Sequence, residues 1–238
     1  MSINNALNAV ISQDGSVVGN FNNNIAIFNP SNFASYYDDC FNTVEWDLRS
    51  SGTASACAGV AVTDHPGVIK METGTDSGGK CSANYGYFGT NSPQWNVNSD
   101  RFSYFAYIYI NALATVSDDY DYYIGPSDGW VFGTPFNGVY FRYYRSTSLN
   151  WLATAMASGS STSTDTGIPV TTGWHKVQIS GDSTSLDFYI DEVLGATVTT
   201  NIPSSPLMIN TNLIFKTAGT TSVLFYQDYF QLIQKTTR

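Results

Sequence analysis

The nine residues Phe102-Ser103-Tyr104-Phe105-Ala106-Tyr107-Ile108-Tyr109-Ile110 constrain this chain more than any other segment. Side chains of an extended strand alternate between two faces, so Phe102, Tyr104, Ala106, Ile108 and Ile110 share one side. The other side collects Phe105, Tyr107 and Tyr109. One face is aliphatic enough for the core between two sheets. The other is an aromatic surface with hydroxyls.

Similar runs recur at short spacing. Val139-Tyr140-Phe141-Arg142-Tyr143-Tyr144 follows the turn Asn137-Gly138, and residues 151–156 come next. A Ser/Thr/Gly-rich stretch, 158–166, reads as a loop. Trp174-His175-Lys176-Val177-Gln178-Ile179 follows Thr172-Gly173, and Leu186-Asp187-Phe188-Tyr189-Ile190 follows Gly181-Asp182. Residues 223–233 read as the last strand. With polar Gly-containing turns, no long helical stretch and no internal repeat, the pattern predicts an all-β, antiparallel two-sheet β-sandwich. The 16 Tyr, 14 Phe and 5 Trp among 238 residues agree, because aromatic residues favour pleated, half-buried surfaces. That length suits one sandwich with its own core.

Residues 1–32 differ from the rest. They hold many Asn and few aromatics; Ala6, Leu7, Val10 and Ile11 suggest one short amphipathic turn, and Pro30-Ser31-Asn32 reads as a break. Two readings stay open: an N-terminal arm that docks on a partner, or a first edge strand of the sandwich. The sandwich itself is expected over 33–238.

The net charge of −9, with 10 Lys plus Arg, argues against nucleic acid, which needs a cationic face to displace phosphate counterions. An anionic membrane surface is disfavoured for the same reason. Cys40, Cys57 and Cys81 form neither a disulfide framework nor a zinc-ribbon spacing. The first residues lack a secretory n-region and h-region, and no segment has the roughly 20 apolar residues of a membrane span. These features lead us to expect synthesis in a cytoplasm without a signal-peptide route.

Several segments in order resemble a concanavalin A-like lectin/glucanase jelly-roll domain as found in bacteriophage virion structural proteins. They are Tyr36-Tyr37-Asp38-Asp39-Cys40-Phe41 followed by Trp46, His65-Pro66-Gly67-Val68 through Thr73-Gly74-Thr75, Tyr123-Ile124-Gly125, and Gly138-Val139-Tyr140-Phe141-Arg142-Tyr143. Gly173-Trp174-His175-Lys176-Val177, Phe188-Tyr189-Ile190-Asp191, Asn201-Ile202-Pro203 and Asp228-Tyr229-Phe230 continue the series. The resemblance implies a virion location after assembly in the host cytoplasm, as a capsid decoration, cement or head-fibre protein. Other virion proteins of capsid or tail would be partners, and a homo-oligomer, with a trimer favoured, would be natural. A glycan-binding tail adhesin for host surface glycans is the alternative, and a polysaccharide lyase the third reading.

Catalysis finds little support. Glucanases of this superfamily need two glutamates on one face, one to donate a proton and one to attack or activate water. Here the glutamates are Glu45, Glu72 and Glu192, and none stands in a Glu-x-Asp-x-x-Glu arrangement. Alginate-type lyases resemble the chain only at Ile214-Phe215-Lys216-Thr217-Ala218-Gly219; Gln178-Ile179 is followed by Ser180 where their motif has His. His65 and His175 have no Ser or Cys at a triad spacing. The chain is therefore expected not to be an enzyme.

Sugar recognition by such sandwiches needs flat rings against sugar C–H faces, with amides and carboxylates for the hydroxyls. Tyr107 and Tyr109 are the candidate platform, aligned with Tyr140 and Tyr144 on neighbouring strands, with Trp130 and Trp151 added. The bland alternative places these rings in the core or in an assembly interface. No cofactor is expected beyond a structural Ca²⁺. The cluster Asp118-Asp119-Tyr120-Asp121 offers hard oxygen ligands for it, and Asp38 or Asp228 contributes by the resemblance.

Overall fold

A computed structural model of the chain describes residues 10–11, 17–21, 24–28, 33–38, 40, 46–53, 55–62, 64–85, 94–95, 101–128, 137–205 and 207–235. In chain order its strands are β1 (Val10–Ile11), β2 (Val17–Phe21), β3 (Asn24–Phe28), β4 (Phe33–Asp38), β5 (Trp46–Ser51), β6 (Ala56–Val62), β7 (His65–Glu72), β8 (Lys80–Tyr85) and β9 (Gln94–Trp95). They continue with β10 (Phe102–Ile110), β11 (Tyr120–Ser127), β12 (Gly138–Tyr144), β13 (Asn150–Ala157) and β14 (Ser160–Pro169). The last are β15 (Gly173–Gly181), β16 (Leu186–Ile190), β17 (Val193–Val198), β18 (Leu207–Lys216) and β19 (Leu224–Lys235).

The run Phe102–Ile110 sits in the middle of the first sheet, whose order is β17-β16-β15-β10-β19-β7-β6, with β4 also paired to β19. The second sheet runs β14-β13-β12-β11-β18-β8-β5, with β9 on β18. Strand pairs throughout are antiparallel, and the two sheets form a jelly-roll β-sandwich. Strand β14 lies against β17 at one edge and β5 against β6 at the other, so the sheets meet on both sides.

The predicted alternation is realised. Tyr104, Ala106, Ile108 and Ile110 are fully buried, and Phe102 nearly so. Across the core they face Tyr120, Tyr122, Ile124, Phe141, Tyr143 and Trp151 of the second sheet. Rings bridge the sheets: Phe225 stacks on Tyr122 at 4.3 Å, and Phe188 meets Phe141 edge-on at 5.2 Å. Each such side chain, taken fully out of water, contributes about 1.5–3 kcal/mol.

Two expectations need revision. The stretch read as a loop at 158–166 is largely β14, a strand hydrogen-bonded to β13 from Ala157↔Ser160 to Asn150↔Pro169. Ser158 and Gly159, at φ 50° and 79°, make the tight turn, and an edge strand open to solvent tolerates Ser and Thr on its outer side. The N-terminal segment is neither a helical turn nor an edge of the sandwich where it is described. Strands β1, β2 and β3 form a small antiparallel sheet of their own, and residues 1–9 lie outside the described set.

Candidate functional site

On β10 the residues between the core positions, Phe105, Tyr107 and Tyr109, project from the outer face of the first sheet. Register decides what they meet. Tyr107 stands opposite Tyr229 of β19 and Tyr109 opposite Tyr226; on the other side Tyr109 stands opposite Trp174 of β15. The rings stack across strands: Tyr107 and Trp174 lie 4.9 Å apart at 11°, and Tyr107 and Tyr229 lie 5.7 Å apart at 23°. Tyr109 leans on Trp174 at 5.3 Å and on Tyr226 at 5.8 Å. All five rings are half-buried. Burial raises the Tyr107 phenol above its ordinary value, with Asp228 and Asp191 nearby adding to it.

A β-bulge arms this face with a carboxylate. Ile108 pairs with Gln227 and Tyr107 with Tyr229, so Asp228 is the extra residue. Bulges re-aim side chains, and here Asp228 lies beside the rings and contacts His65 Nδ1 at 2.9 Å. His65, the first residue of β7, is stacked on Trp174 at 4.1 Å and 27°. Around the rings, Lys70 pairs with Glu72 and Lys176 with Glu192.

The outer face of the second sheet is different. Arg142 donates from Nε and Nη2 to the two carboxylate oxygens of Asp121 at 2.9 and 2.6 Å, and the Tyr123 hydroxyl donates to one of them at 2.6 Å. The guanidinium lies 5.2 Å from the Tyr123 ring and 5.1 Å from the Tyr144 ring. Burial lifts the Asp121 carboxyl above its ordinary value even with Arg142 opposing it, while Asp121 holds Arg142 firmly protonated. Tyr123, Tyr140, Met156 and Leu213 form a second, separate apolar cluster here, with Tyr140 only 3% exposed.

The sugar-site residues named from sequence are therefore scattered. Tyr107 and Tyr109 share the first sheet's outer face. Tyr140 and Tyr144 sit on the opposite face of the sandwich, because β10 and β12 belong to different sheets and are not neighbours. Trp151 is fully buried in the core, since odd-numbered positions of β13 point inward, so it offers no platform. Trp130 lies outside the described residues. Trp174 and Tyr229 were missed as partners of Tyr107, and Tyr226 as a partner of Tyr109, because only the register of β15 and β19 against β10 brings them together; His65 reaches Tyr107 and Trp174 from β7.

The acidic cluster is also taken apart. Asp118 accepts from the Thr221 amide, Asp119 from the Tyr120 amide and the Ser146 hydroxyl, and Asp121 from Arg142. Asp228 belongs to the other sheet, and the Asp38 side chain lies outside the described residues. Among the described residues no three His, Cys, Asp or Glu side chains come together to hold a metal ion. Lys216, in the stretch resembling a lyase motif, is fully buried and donates to the backbone carbonyl of Thr221 at 2.5 Å. His175 is a buried structural histidine, bonded to Asp191 at 2.8 Å and to the Thr171 carbonyl at 2.9 Å.

No protein-family model matches the chain, and no curated protein does either. Solved structures do. A glycosidic hydrolase in its native form superposes with a TM-score of 0.58 at 14% identity, covering 83% of this chain and 94% of that one. The Bacillus licheniformis β-glucanase gives 0.55 at 13% identity, covering 86% and 98%. A protein of unknown function from Shewanella oneidensis MR-1 gives 0.56 at 14%, covering 87% and 88%. At these identities the likeness is one of fold, a two-sheet antiparallel jelly-roll β-sandwich.

Proposed function

We propose that this chain is a non-catalytic carbohydrate-binding module that holds saccharides on the outer face of its first sheet. The observation that carries this reading is the cross-strand array of Trp174, Tyr107, Tyr229, Tyr109 and Tyr226 beside the bulge carboxylate Asp228. A pyranose has an apolar C–H side and a rim of hydroxyls. Half-buried amphipathic rings next to a carboxylate meet both needs. The opposite face is a poorer candidate, because Tyr123 and Tyr140 there are buried. The kinship of fold with a β-glucanase and a glycosidic hydrolase supports saccharide as the ligand class.

The non-catalytic part rests on the carboxylates. Of the described glutamates, Glu72 is engaged by Lys70 and Ser222, and Glu192 by Lys176. Glycan-array screening followed by calorimetry on the best hit tests the reading. Binding that weakens at least about tenfold in Trp174→Ala supports it. Release of reducing ends or unsaturated sugars from the bound glycan overturns its non-catalytic part.

We further propose that the module is displayed on a bacteriophage particle, as the sequence resemblance implies, with host surface glycans as its targets. The separate sheet of β1, β2 and β3 supports an N-terminal attachment segment, since it pairs with neither sheet of the sandwich. Immunogold labelling of purified particles tests this, and particles free of label overturn it.

A further inference from the structure

Nothing in their spacing along the chain pairs Cys57 with Cys81, yet the sandwich sets them against each other from opposite sheets. Cys57 lies on β6, an edge strand of the first sheet, and Cys81 on β8 of the second, and the two strands are in contact. Both side chains turn inward, Cys81 fully buried in the core and Cys57 half-buried against it. Each sulfur reaches the main chain beside the other cysteine. Cys57 Sγ donates to the Ser82 carbonyl at 3.2 Å. Cys81 Sγ lies 3.1 Å from the Ala56 carbonyl oxygen and 2.7 Å from that of Glu72, the residue paired with Ala56 across β6 and β7. The Ala56 carbonyl is bonded to the Cys57 amide, so Cys81 Sγ stands within about 6 Å of the Cys57 Cα. The two side chains thus lie alongside each other in the gap between the sheets, at the range a disulfide spans.

We propose that Cys57 and Cys81 form an oxidation site, which a small-molecule disulfide converts into a covalent staple between the two sheets. The more exposed Cys57 attacks first. Its thiolate bonds to one sulfur of the reagent, whose S–S bond breaks and releases one thiol. The Cys81 thiolate then attacks the Cys57 sulfur, the mixed disulfide breaks and the second thiol leaves. The two protein thiols give up two protons and two electrons, and the reagent takes up both. Cys40 belongs to a different neighbourhood, near Tyr104 of β10.

Burial first, and then the nearby Cys81 sulfur, push the Cys57 thiol above its ordinary value; Asp47 adds to this and the Arg49 main chain opposes it. Burial pushes Cys81 up to about 11, against its contacts with the Glu72 and Ala56 main chain. Little thiolate is present near neutral pH, so the pair stays reduced in a reducing compartment and closes slowly in an oxidising one. Once closed, the bridge removes freedom from the unfolded segment 57–81. It also ties β6, which pairs within its own sheet only with β7, to the second sheet.

The intact chain supplies the test, because trypsin cuts after Arg49, Lys70, Lys80 and Arg101 and so leaves Cys40, Cys57 and Cys81 on separate peptides. The folded protein is incubated with oxidised glutathione at about pH 9, where more thiolate is present. Remaining thiols are alkylated before digestion. The expected map shows one link, between peptides 50–70 and 81–101, with Cys40 alkylated. Melting temperature is expected to rise by about 5–10 °C and to return to its starting value with dithiothreitol. In Cys57→Ser the same treatment is expected to leave melting unchanged. A link through the Cys40 peptide, glutathione left on Cys57 or Cys81, or alkylation of all the cysteines overturns the proposal. So does a bridge that brings no gain in melting temperature, or a gain that persists in Cys57→Ser. If Cys57→Ser does not fold, the map and melt of the parent chain decide alone.

Discussion

Arg142 and Asp121 stand diagonally across the β11–β12 ladder and share two hydrogen bonds of 2.9 and 2.6 Å, on a face where Asp121 is 7% exposed. Their strands are fixed by Tyr123↔Arg142 and Asp121↔Tyr144, so the pairing follows from register rather than from proximity in sequence. Removing one partner strands the other charge in a low-dielectric site. Asp121→Ala is expected to cost about 3 kcal/mol in urea unfolding. Replacing both residues with leucine is expected to recover most of that loss, because well-packed apolar groups often match a buried pair. Equal losses in the single and double variants would show that the pair's geometry matters for another reason.

The two tryptophans Trp151 and Trp174 are expected to separate stability from binding. Trp151 is fully buried against Tyr122, Phe141 and Tyr143, so Trp151→Ala should destabilise by about 3–5 kcal/mol. Trp174 lies half-buried on the outer face, so Trp174→Ala should unfold much closer to the parent while losing saccharide affinity. Thermal melts and calorimetry on both variants check this. A Trp151 variant with parental stability would contradict the core assignment.

At Gly181 the backbone sits at φ 154°, and an added Cβ would lie 2.0 Å from the Ser185 carbonyl oxygen. Close approach of that carbonyl lets the turn between β15 and β16 close through Asp182. Gly181→Ala must push the two strands apart or twist the turn. We expect a loss of about 2 kcal/mol, read as a lower urea midpoint. A neutral result would mean that the turn relaxes freely.

Stability is expected to fall on the acid side. Asp118 is held below its ordinary range by the Thr221 amide, Asp165 by the Ser148 hydroxyl and the Gly167 amide, and Asp182 by the Thr184 hydroxyl and amide. A carboxyl depressed in the folded state stabilises fully above its unfolded pKa. That contribution is lost as pH falls through the depressed folded value. Melting temperature should therefore drop as pH is lowered below about 4. Asp182→Asn should flatten part of that drop, and an unchanged profile in Asp182→Asn would assign the loss to other groups.

Much of the fold was legible in the chain. The Phe102–Ile110 alternation placed a buried face and an aromatic face correctly, because the two-residue period of a strand is a local property of the backbone. The Leu186, Phe188, Ile190 face was legible for the same reason, and all three are buried. Residues 158–166 were misread, since Ser and Thr occur in loops and on open edge strands alike. Only the hydrogen bonds to β13 separate the two.

The site was legible only by halves. Alternation alone put Tyr107 and Tyr109 on one outer surface. It could not tell that Tyr140 and Tyr144 belong to the other sheet, that Trp151 points into the core, or that Trp174 and Tyr229 flank Tyr107. Those facts depend on which strands pair and in what register, and residues 107, 174 and 229 meet through pairings far apart in the chain. The place of Asp228 depends on a single bulge, and that of His65 on ring contacts with Trp174, which lies on a strand that β7 does not pair with. Local sequence determined which residues are extended and which side each faces. Tertiary structure decided which faces share a surface, because strand pairing is a long-range choice made by the packing of the whole core.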